Sequence, residues 1–322
     1  MKNNKLGVYI VASALLYAPF SYAQQVSIAT GGTGGVYYPV GGGMAQMITD
    51  NMPGVSAVAE VTGAAAENMG LLSRGDSDFA LTPADIAFQA YNHSGSFTER
   101  GFDGIRAIAS VYPGALHLVT LAGSQVHSLD DLKGKRVSVG GPGSGTELHA
   151  KIALEANGIT FDDFSAQRLN FNETADAIRD GDVDAGFIAS VLPPTSSIMS
   201  LATTRDISLI SLSDDEVANI QKVEPVFASY ELMPGVYEGV EDTIQTVEIP
   251  NLFVTSSNVD EDLVYEVTKM LYEKTDQLGA IHPAARQIST QYSVDSMPIP
   301  FHAGAIRYYN EIGVNLKEHH YP

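Results

Sequence analysis

The 322-residue sequence contains no cysteine and no tryptophan, and basic residues are scarce in it. Without cysteine no disulfide can form, so core packing by aliphatic residues, phenylalanine and tyrosine must stabilise the fold. Eighteen lysines and arginines stand against 38 aspartates and glutamates, which gives a net charge of −20. Such a surface repels nucleic acid and anionic lipid. We therefore expect no nucleic-acid partner, and any anionic ligand must be held by local donors.

The N-terminus has the pattern of a secretory signal peptide. Lys2 and Lys5 form a basic start, residues 6–16 are mostly apolar, and Ser21-Tyr22-Ala23 resembles a cleavage site. The apolar run is too short for a comfortable membrane span. The sequence predicts cleavage after Ala23 and a mature periplasmic chain that starts at Gln24; an uncleaved anchor is the alternative.

The mature chain alternates short apolar runs with helix-like stretches over residues 24–322. This alternation predicts an α/β fold with open sheets, and the length is sufficient for two packed domains. One segment, TVEIPNLFVT at residues 246–255, is strand-like but has a central proline. A proline there indicates an edge strand or a hinge.

The first glycine-rich turn, TGGTGGVYYPVGGG at residues 30–43, lies between a predicted strand and a predicted helix. Glycines let the backbone approach a ligand closely, and the first N–H groups of a helix have no intrahelical partner. Together with the helix dipole, those donors suit a carboxylate or a phosphate. The turn lacks the Gly-Lys-Ser/Thr ending of a P-loop and the spacing of a dinucleotide fingerprint. It therefore predicts an anion site and no nucleotide cofactor.

A second glycine-rich turn, GPGSGTE at residues 141–147, also follows a predicted strand and begins a predicted helix. In open α/β sheets, ligands bind beyond the carboxyl ends of the strands. If the two α/β units face one another, both turns line one cleft between them. The sequence thus predicts one ligand cleft between two α/β units.

An enzymatic function has little support in the sequence. Ser144, Glu147 and His149 superficially offer a nucleophile and a base, but side chains five residues apart on one helix do not face each other well. The GxSxG turn of α/β-hydrolases is missing there, and the histidines show no metal-ligand spacing. We expect no catalytic residue and no metal site.

Five motifs carry a family resemblance when they are taken together. TGGTGGVYYPVGG, TGAAAENM, TPADIAFQAY, SLDDLKGKRVSVGGPGSGTE and GDVDAGF occur in the order and spacing of the TAXI family. Members of that family are extracytoplasmic solute receptors of one class of TRAP transporter. The resemblance covers essentially the whole mature chain and implies a periplasmic binding protein of type II topology, whose lobes close around a small solute.

The resemblance also implies a set of ligand-binding residues. Those of lobe I are Gly31, Thr33, Gly34, Gly35 and Tyr37, with Asn68 and Pro83 as weaker candidates, and those of lobe II are Ser144, Gly145, Thr146, Phe187 and Ser190. The family often has serine where this chain has Ala64, so one hydroxyl donor is missing. No arginine is selected among Arg106, Arg168 and Arg179.

The resemblance further implies lobe limits, a ligand and a partner. Lobe I comprises residues 24–121 and 251–322, lobe II comprises residues 122–250, and the crossings lie near Ala122 and Pro250. The implied ligand is a small carboxylate such as the dicarboxylate 2-oxoglutarate, or glutamate, and the receptor is a monomer that delivers it to an ion-driven TRAP permease. The alternative is a binding protein of an ABC importer or a sensor kinase with a different solute.

Overall fold

The computed structural model describes residues 24–191 and 194–322, without the side chains of residues 190 and 191. The predicted signal peptide, residues 1–23, lies outside this part of the chain. Within the described part, no helix is both long enough and apolar enough to cross a membrane. The described residues form an α/β structure with two lobes, and this confirms the predicted fold class.

Lobe I is built on parallel strands whose carboxyl ends lie at one edge of the sheet. Strand β1 pairs in parallel with both β2 and β3. Its strands and its first three helices are β1 (Gln24–Ala29), α1 (Tyr37–Asn51), β2 (Val55–Glu60), α2 (Ala65–Arg74), β3 (Phe79–Pro83) and α3 (Ala84–Tyr91). Four C-terminal helices complete it: α8 (Glu261–Glu273), α9 (Thr275–Ile281), α10 (Thr290–Ser296) and α11 (Ala303–Glu311).

Lobe II repeats this arrangement with strand β5 between β6 and β7, all parallel. Its elements are β5 (Arg136–Ser138), α4 (Gly145–Ala156), β6 (Ser165–Gln167), α5 (Phe171–Asp180), β7 (Ala185–Val191), α6 (Ser196–Ala202), β8 (Ile207–Leu209), α7 (Asp214–Val223) and β9 (Ala228–Leu232). Helices α4, α5 and α7 each begin at a side-chain cap that accepts a hydrogen bond from the backbone N–H of the third helical residue. These caps satisfy donors that the helix cannot pair internally.

Two long antiparallel strands, β4 (Ile105–Leu121) and β10 (Ile244–Ser256), join the lobes. The first part of β4 pairs with β10, while its last residues pair with β7 and β8. The sequence predicts two separate strands in this region, and the structure has one, because residues 113 and 114 continue the extended backbone. The lobe limits near Ala122 and Pro250 remain a prediction, since continuous strands make both crossings.

The prolines of these two strands face each other where the pairing partners change. Pro113 is opposite Pro250, and neither residue has an N–H group with which to donate a ladder hydrogen bond. β10 lies between β3 and β4 and is therefore an interior strand. Of the two interpretations of its proline, an edge strand or a hinge, the edge strand is wrong. A weakened position in both connecting strands suits a hinge.

Candidate functional site

A cavity of about 300 Å³ lies between the lobes, beyond the carboxyl ends of the parallel strands. Its volume is at the lower end of the range for small-molecule sites. Residues from both lobes line it: Gly31, Gly32, Gly35, Val36, Tyr37, Val61, Thr62, Gly63, Ala64, Ala65, Pro83 and Tyr112 from lobe I and its connecting strand, and Gly141, Pro142, Ser144, Gly145, Thr146, Asn170, Phe171, Glu173 and Ala189 from lobe II. Both glycine-rich turns of the sequence therefore meet at one cavity.

Five helices begin at this cavity. The first residues of α1, α2, α4 and α5 are themselves in the lining, and Pro83 in the lining directly precedes α3. Each helix start carries a partial positive charge and N–H groups that lack intrahelical partners. In the described part of the chain, no hydrogen bond reaches the backbone N–H of Gly145 or Thr146. The cavity is consequently rich in donors directed at an acceptor from two sides.

The glycines of the lobe I turn allow lobe II to approach closely. A Cβ atom added at Gly34 would lie 2.1 Å from Oδ1 of Asn172, and one at Gly35 would lie 3.0 Å from the ring of Phe171. Gly31 lines the cavity, whereas Gly34 is buried beneath Asn172 and Thr33 is exposed outside the lining. The turn thus contributes backbone, and not a hydroxyl group, to the cavity wall.

Tyr37 lies at the start of α1 and contributes its ring to the cavity. Its hydroxyl donates a hydrogen bond to Oδ1 of Asn251 on β10, and its ring lies 6.3 Å from that of Tyr112. Burial raises the pKa of Tyr37 well above its usual value, and the charge of Asp85 raises it further. The tyrosine is therefore a neutral wall residue that is fixed to the connecting strand.

The lobe II turn contributes hydroxyl groups as well as backbone. Ser144 caps α4 by accepting the N–H of Glu147 at 3.2 Å, and Oγ1 of Thr146 accepts the N–H of Ala189 at 3.3 Å. Among the described residues both hydroxyls act as acceptors, and a hydroxyl that accepts still carries a hydrogen that it can donate. Ser144, Gly145 and Thr146 all lie in the lining, as the sequence predicts.

The remaining predicted residues are dispersed. Pro83 lies in the lining, but Asn68 does not, because its amide donates to the carbonyls of Thr30 and Leu81 at 2.7 and 2.8 Å in the core of lobe I. Phe187 is buried in β7 outside the lining. The side chain of Ser190 lies outside the described part of the structure. A ligand role for these residues remains a prediction.

Sequence reasoning missed the part of the wall that Asn170, Phe171 and Glu173 form at the start of α5. Asn170 and Glu173 form a capping box in which each side chain accepts the other residue's backbone N–H, at 3.0 and 2.8 Å. An asparagine followed three residues later by glutamate is a recognisable helix start. Tyr112 was also missed, and it carries no local motif.

The lining is almost free of charge. Among the described lining residues there is no lysine or arginine, and Glu173 is the one carboxylate. Of the three arginines left open, Arg168 is bound to Glu147 at 2.6 Å, while Arg106 bonds backbone carbonyls and Arg179 pairs with Asp176 and Asp180. None of the three lies in the lining. An acidic group bound in the cavity would therefore be held by N–H and O–H donors.

Two hydrogen bonds cross between the lobes beside the cavity. The N–H of Ala66 in α2 donates to the carbonyl of Gly143 at 3.3 Å, and Oγ1 of Thr195 donates to the carbonyl of Gly34 at 3.4 Å. These contacts join the glycine-rich turn of each lobe to the opposite lobe. The conformation in the structure is thus one in which the lobes are closed.

The contact of Thr195 is anchored through buried polar groups of lobe II and of the connecting strand β4. The N–H of Thr195 donates to the hydroxyl of Tyr237 at 3.2 Å, and that hydroxyl lies 3.3 Å from Nε2 of His117. Burial lowers the pKa of His117 to about 4, so its imidazole is neutral near pH 7. A neutral ring can accept from Tyr237 while its Nδ1–H donates to the carbonyl of Ile188.

The residues that superficially offered a catalytic pair are separated. Ser144 lies in the lining, but His149 is completely buried outside it, with its Nε2 3.0 Å from Asp85. Across residues 24–191 and 194–322, no group of three or more histidine, cysteine or acidic side chains is placed to hold a metal ion.

Solved structures share the fold at low sequence identity. An L-cystine ABC transporter protein from Listeria monocytogenes is 14% identical with a TM-score of 0.51, covering 84% of this chain and 98% of its own. The alkanesulfonate-binding protein from Xanthomonas axonopodis pv. citri bound to MOPS is 14% identical, with a TM-score of 0.49 and 89% and 90% covered. An amino acid ABC transporter substrate-binding protein from Streptococcus pneumoniae bound to L-arginine is 13% identical, with a TM-score of 0.49 and 82% and 95% covered. The first likeness supports the two-lobed fold, and that alone.

The family match corrects the TAXI resemblance. The model of the NMT1-like family matches residues 28–313, and the cystine protein from Listeria monocytogenes, which shares the fold, is described as an ABC transporter and not as a TRAP receptor. The identification as a TAXI receptor is therefore wrong. The TRAP permease partner and the dicarboxylate, 2-oxoglutarate and glutamate ligands rested on that resemblance alone and are withdrawn with it. The chain belongs to the NMT1-like family.

Proposed function

We propose that this protein is an extracytoplasmic solute-binding protein of an ABC importer, which binds a small solute with an acidic group between its lobes. The observation that carries the proposal is the meeting of five helix starts at one interlobe cavity without a basic side chain in the described lining. The signal-peptide pattern of residues 1–23 supports a location outside the cytoplasm. The fold of a cystine ABC transporter protein supports the importer.

The acidic group follows from the donors. Backbone N–H groups at helix starts bind anions, and hydrogen bonds to a charged acceptor are stronger than those between neutral groups. The N–H groups of Gly145 and Thr146, which donate to no acceptor among the described residues, and the hydroxyls of Ser144 and Thr146 provide donors on the lobe II side. The rings of Tyr37, Tyr112 and Phe171 provide an apolar wall for the remainder of the solute.

Binding is expected to act by closure of the lobes. A solute that contacts both glycine-rich turns stabilises the closed state by the contacts that only this state offers. With His149 buried against Asp85, outside the lining, the cavity presents Ser144 without that imidazole beside it. The proposal is therefore binding and transport, without catalysis.

A thermal-shift screen of residues 24–322 tests the acidic group. The panel contains small carboxylates, sulfonates, phosphonates and amino acids, each beside a neutral analogue of similar size. A solute at 100 times its dissociation constant adds about 2.7 kcal/mol of stability, which raises the melting temperature by several degrees. Shifts with acids and none with the neutral analogues are expected. Shifts confined to neutral sugars or cations would contradict the acidic group.

A matched pair of variants at Gly145 then tests the backbone donor. Gly145→Ala and Gly145→Pro both add a Cβ atom, which Pro83 approaches at 3.0 Å, but only proline removes the N–H. Gly145 is the first residue of α4, a position where proline is tolerated, and the extended backbone of Ser144 before it is compatible with proline. We expect the Gly145→Pro variant to bind the acid at least about tenfold more weakly than Gly145→Ala, as measured by calorimetry. Equal affinities would show that this N–H does not hold the solute.

Uptake experiments test the importer. Cells that express the protein should accumulate the solute found in the screen, and cells that lack it should not. We expect uptake to stop when ATP is depleted and to continue when an ionophore dissipates the ion gradients. The reverse pattern would contradict an ABC importer while leaving the binding site in place.

A further inference from the structure

A buried hydrogen-bonded contact between an aspartate and a histidine joins the two lobes outside the solute cavity. Asp85 lies in the first turn of α3 in lobe I, and His149 lies in α4 of lobe II. Nε2 of His149 is 3.1 Å from Oδ1 and 3.0 Å from Oδ2 of Asp85. Because an ionised carboxylate only accepts hydrogen bonds, Nε2 carries the hydrogen in this contact.

The surroundings make this contact costly to break within the closed structure. Both side chains are completely shielded from solvent, and the ring of Phe227 packs edge-on against His149 at 5.3 Å. Two other ionisable groups lie near: Glu224 after α7 and Tyr37 of α1. Burial and the charge of Asp85 raise the pKa of Glu224. A buried carboxylate without its partner is strongly unfavourable, so the imidazole is the group that makes burial of Asp85 tolerable.

Each partner is fixed to its own lobe. Helix α3 packs on β3 and β10, whereas α4 packs on β7 and α7. A rotation that opens the cleft must separate these helices, and it returns both side chains to water. The pair is therefore formed in the closed state and broken in an open one, so it has the two discrete arrangements that a switching element requires.

We propose that the Asp85–His149 pair is a latch that holds the two lobes together in the protein without solute. The proposal rests on the proposed function, since only a receptor with separable lobes needs a latch. Neither residue lines the cavity, so the pair can form before a solute enters. When part of the protein is closed without solute, a smaller fraction is open for a solute to enter. The latch thereby lowers the apparent affinity for every solute by the same factor.

Distance measurements between the lobes test the latch without any solute. The native chain has no cysteine, so a spin label can be placed at each of two introduced cysteines, Ser73→Cys in α2 and Lys222→Cys in α7, both at exposed positions. Electron–electron double resonance then gives the populations of short and long distances. In the otherwise native protein we expect a substantial short-distance population. In Asp85→Asn and in His149→Gln we expect the ratio of closed to open protein to fall at least about tenfold.

A second ion pair serves as the control. Asp184→Asn breaks the contact of Asp184 with Arg136, which joins residues of lobe II alone at 2.7 Å. The distance distribution should not change in this variant. Circular dichroism melting identifies any variant that fails to fold, and either of the two latch variants suffices for the test.

Two results would overturn the latch. One is a wild-type protein that shows only the long distance, and the other is a short-distance population that persists in both folded latch variants. The latch and the proposed function can fail separately. If distances shift in the variants while no acid stabilises the protein in the screen, the acidic solute is wrong and the latch stands.

Discussion

Two loops of similar sequence face each other across the cavity. In both, a glutamate of the first helical turn accepts a backbone N–H of the loop, but only the lobe II loop also has a side-chain cap. In lobe I the run is Gly63 to Glu67, and in lobe II it is Gly143 to Glu147. In each, the glutamate folds back and accepts the N–H of the glycine four residues before it, at 2.6 Å for Glu67 and 2.7 Å for Glu147.

The difference lies at the residue after the glycine. Ser144 has an ordinary extended backbone, with φ −75° and ψ 158°, and its hydroxyl caps α4. Ala64 has φ 65° and ψ −171°, Ala65 after it has φ 28°, and no side chain caps α2. A backbone that only glycine adopts easily is thus occupied by alanine in lobe I. Such strain is often found at binding sites, where surrounding contacts maintain it.

The comparison shows that two turns of similar sequence can contribute different groups to a site. The lobe II turn supplies a cap, hydroxyls and free N–H groups, whereas the lobe I turn supplies mainly backbone in a strained conformation. The hydrogen bond from Ala66 to Gly143 joins the two turns. The strained turn of lobe I is thus held against lobe II by a backbone hydrogen bond two residues after Ala64.

The largest effect on stability is expected from a substitution at Gly140, where the chain enters the lobe II turn. Gly140 has φ 97°, and a Cβ atom there would lie 2.6 Å from Cβ of Thr146 and 2.9 Å from the backbone N of Glu147. Gly140→Ala should lower the free energy of unfolding by about 3 kcal/mol, because both the backbone and the helix start must shift. Urea denaturation measures the loss.

Gly141→Ala is the matched control for that variant. Gly141 has no neighbour within 4 Å of an added Cβ atom, and its φ lies outside the left-handed region. The free energy of unfolding of the Gly141→Ala variant should stay within about 0.5 kcal/mol of that of the native protein. Equal losses at Gly140 and Gly141 would contradict the close approach of Thr146 to the turn.

A smaller effect is expected from the cap that lobe I lacks. Ser144→Ala removes the acceptor of the Glu147 N–H and should cost about 1 kcal/mol of stability. Ala64→Ser adds a hydroxyl at the corresponding place in lobe I, but the backbone there is not that of a cap, so we expect no comparable gain. Urea denaturation of both variants compares them. A gain of about 1 kcal/mol in Ala64→Ser would show that the two turns are equivalent after all.

The smallest expected effect relieves the strain of lobe I. Ala64→Gly should raise the free energy of unfolding by about 0.5 kcal/mol. Glycine adopts this backbone without strain, and the strain that is relieved in the folded state exceeds the cost of the greater conformational entropy of the unfolded chain. Ala66→Gly, two residues later at an ordinary helical position, should instead lower it by up to about 1 kcal/mol. Denaturation midpoints that fall in both variants would contradict strain at Ala64.

Local chemistry in the sequence was sufficient for the α/β fold and for the two glycine-rich turns that line the cavity. Repeated strand–glycine–helix patterns predict both turns, and the structure brings Gly31, Gly35 and Tyr37 together with Ser144, Gly145 and Thr146. Those residues share one property, which is that they lie between the end of a parallel strand and the first turn of the helix that follows it. The carboxyl ends of such strands meet at one edge of a sheet, so periodicity alone locates the cleft.

The family assignment shows the limit of motif similarity. The quoted motifs fit a TAXI receptor in order and spacing, and the family match is nevertheless to the NMT1-like family. Glycine-rich turns of this kind satisfy requirements of the fold and of anion binding in general. They therefore carry little information on function beyond the fold.

By itself, the sequence determined the alternation of strands and helices and the glycine-rich turns, because these depend on side chains a few residues apart, but it did not show that β4 is one continuous strand or that β10 is an interior strand. Only the tertiary structure decided which residues face each other across the cleft. Tyr112, Phe171 and the pair of Asp85 with His149 reach their places through the two strands that cross between the lobes. Asp85 and His149 are 64 residues apart, and no local pattern in the sequence marks a contact between residues so distant along the chain.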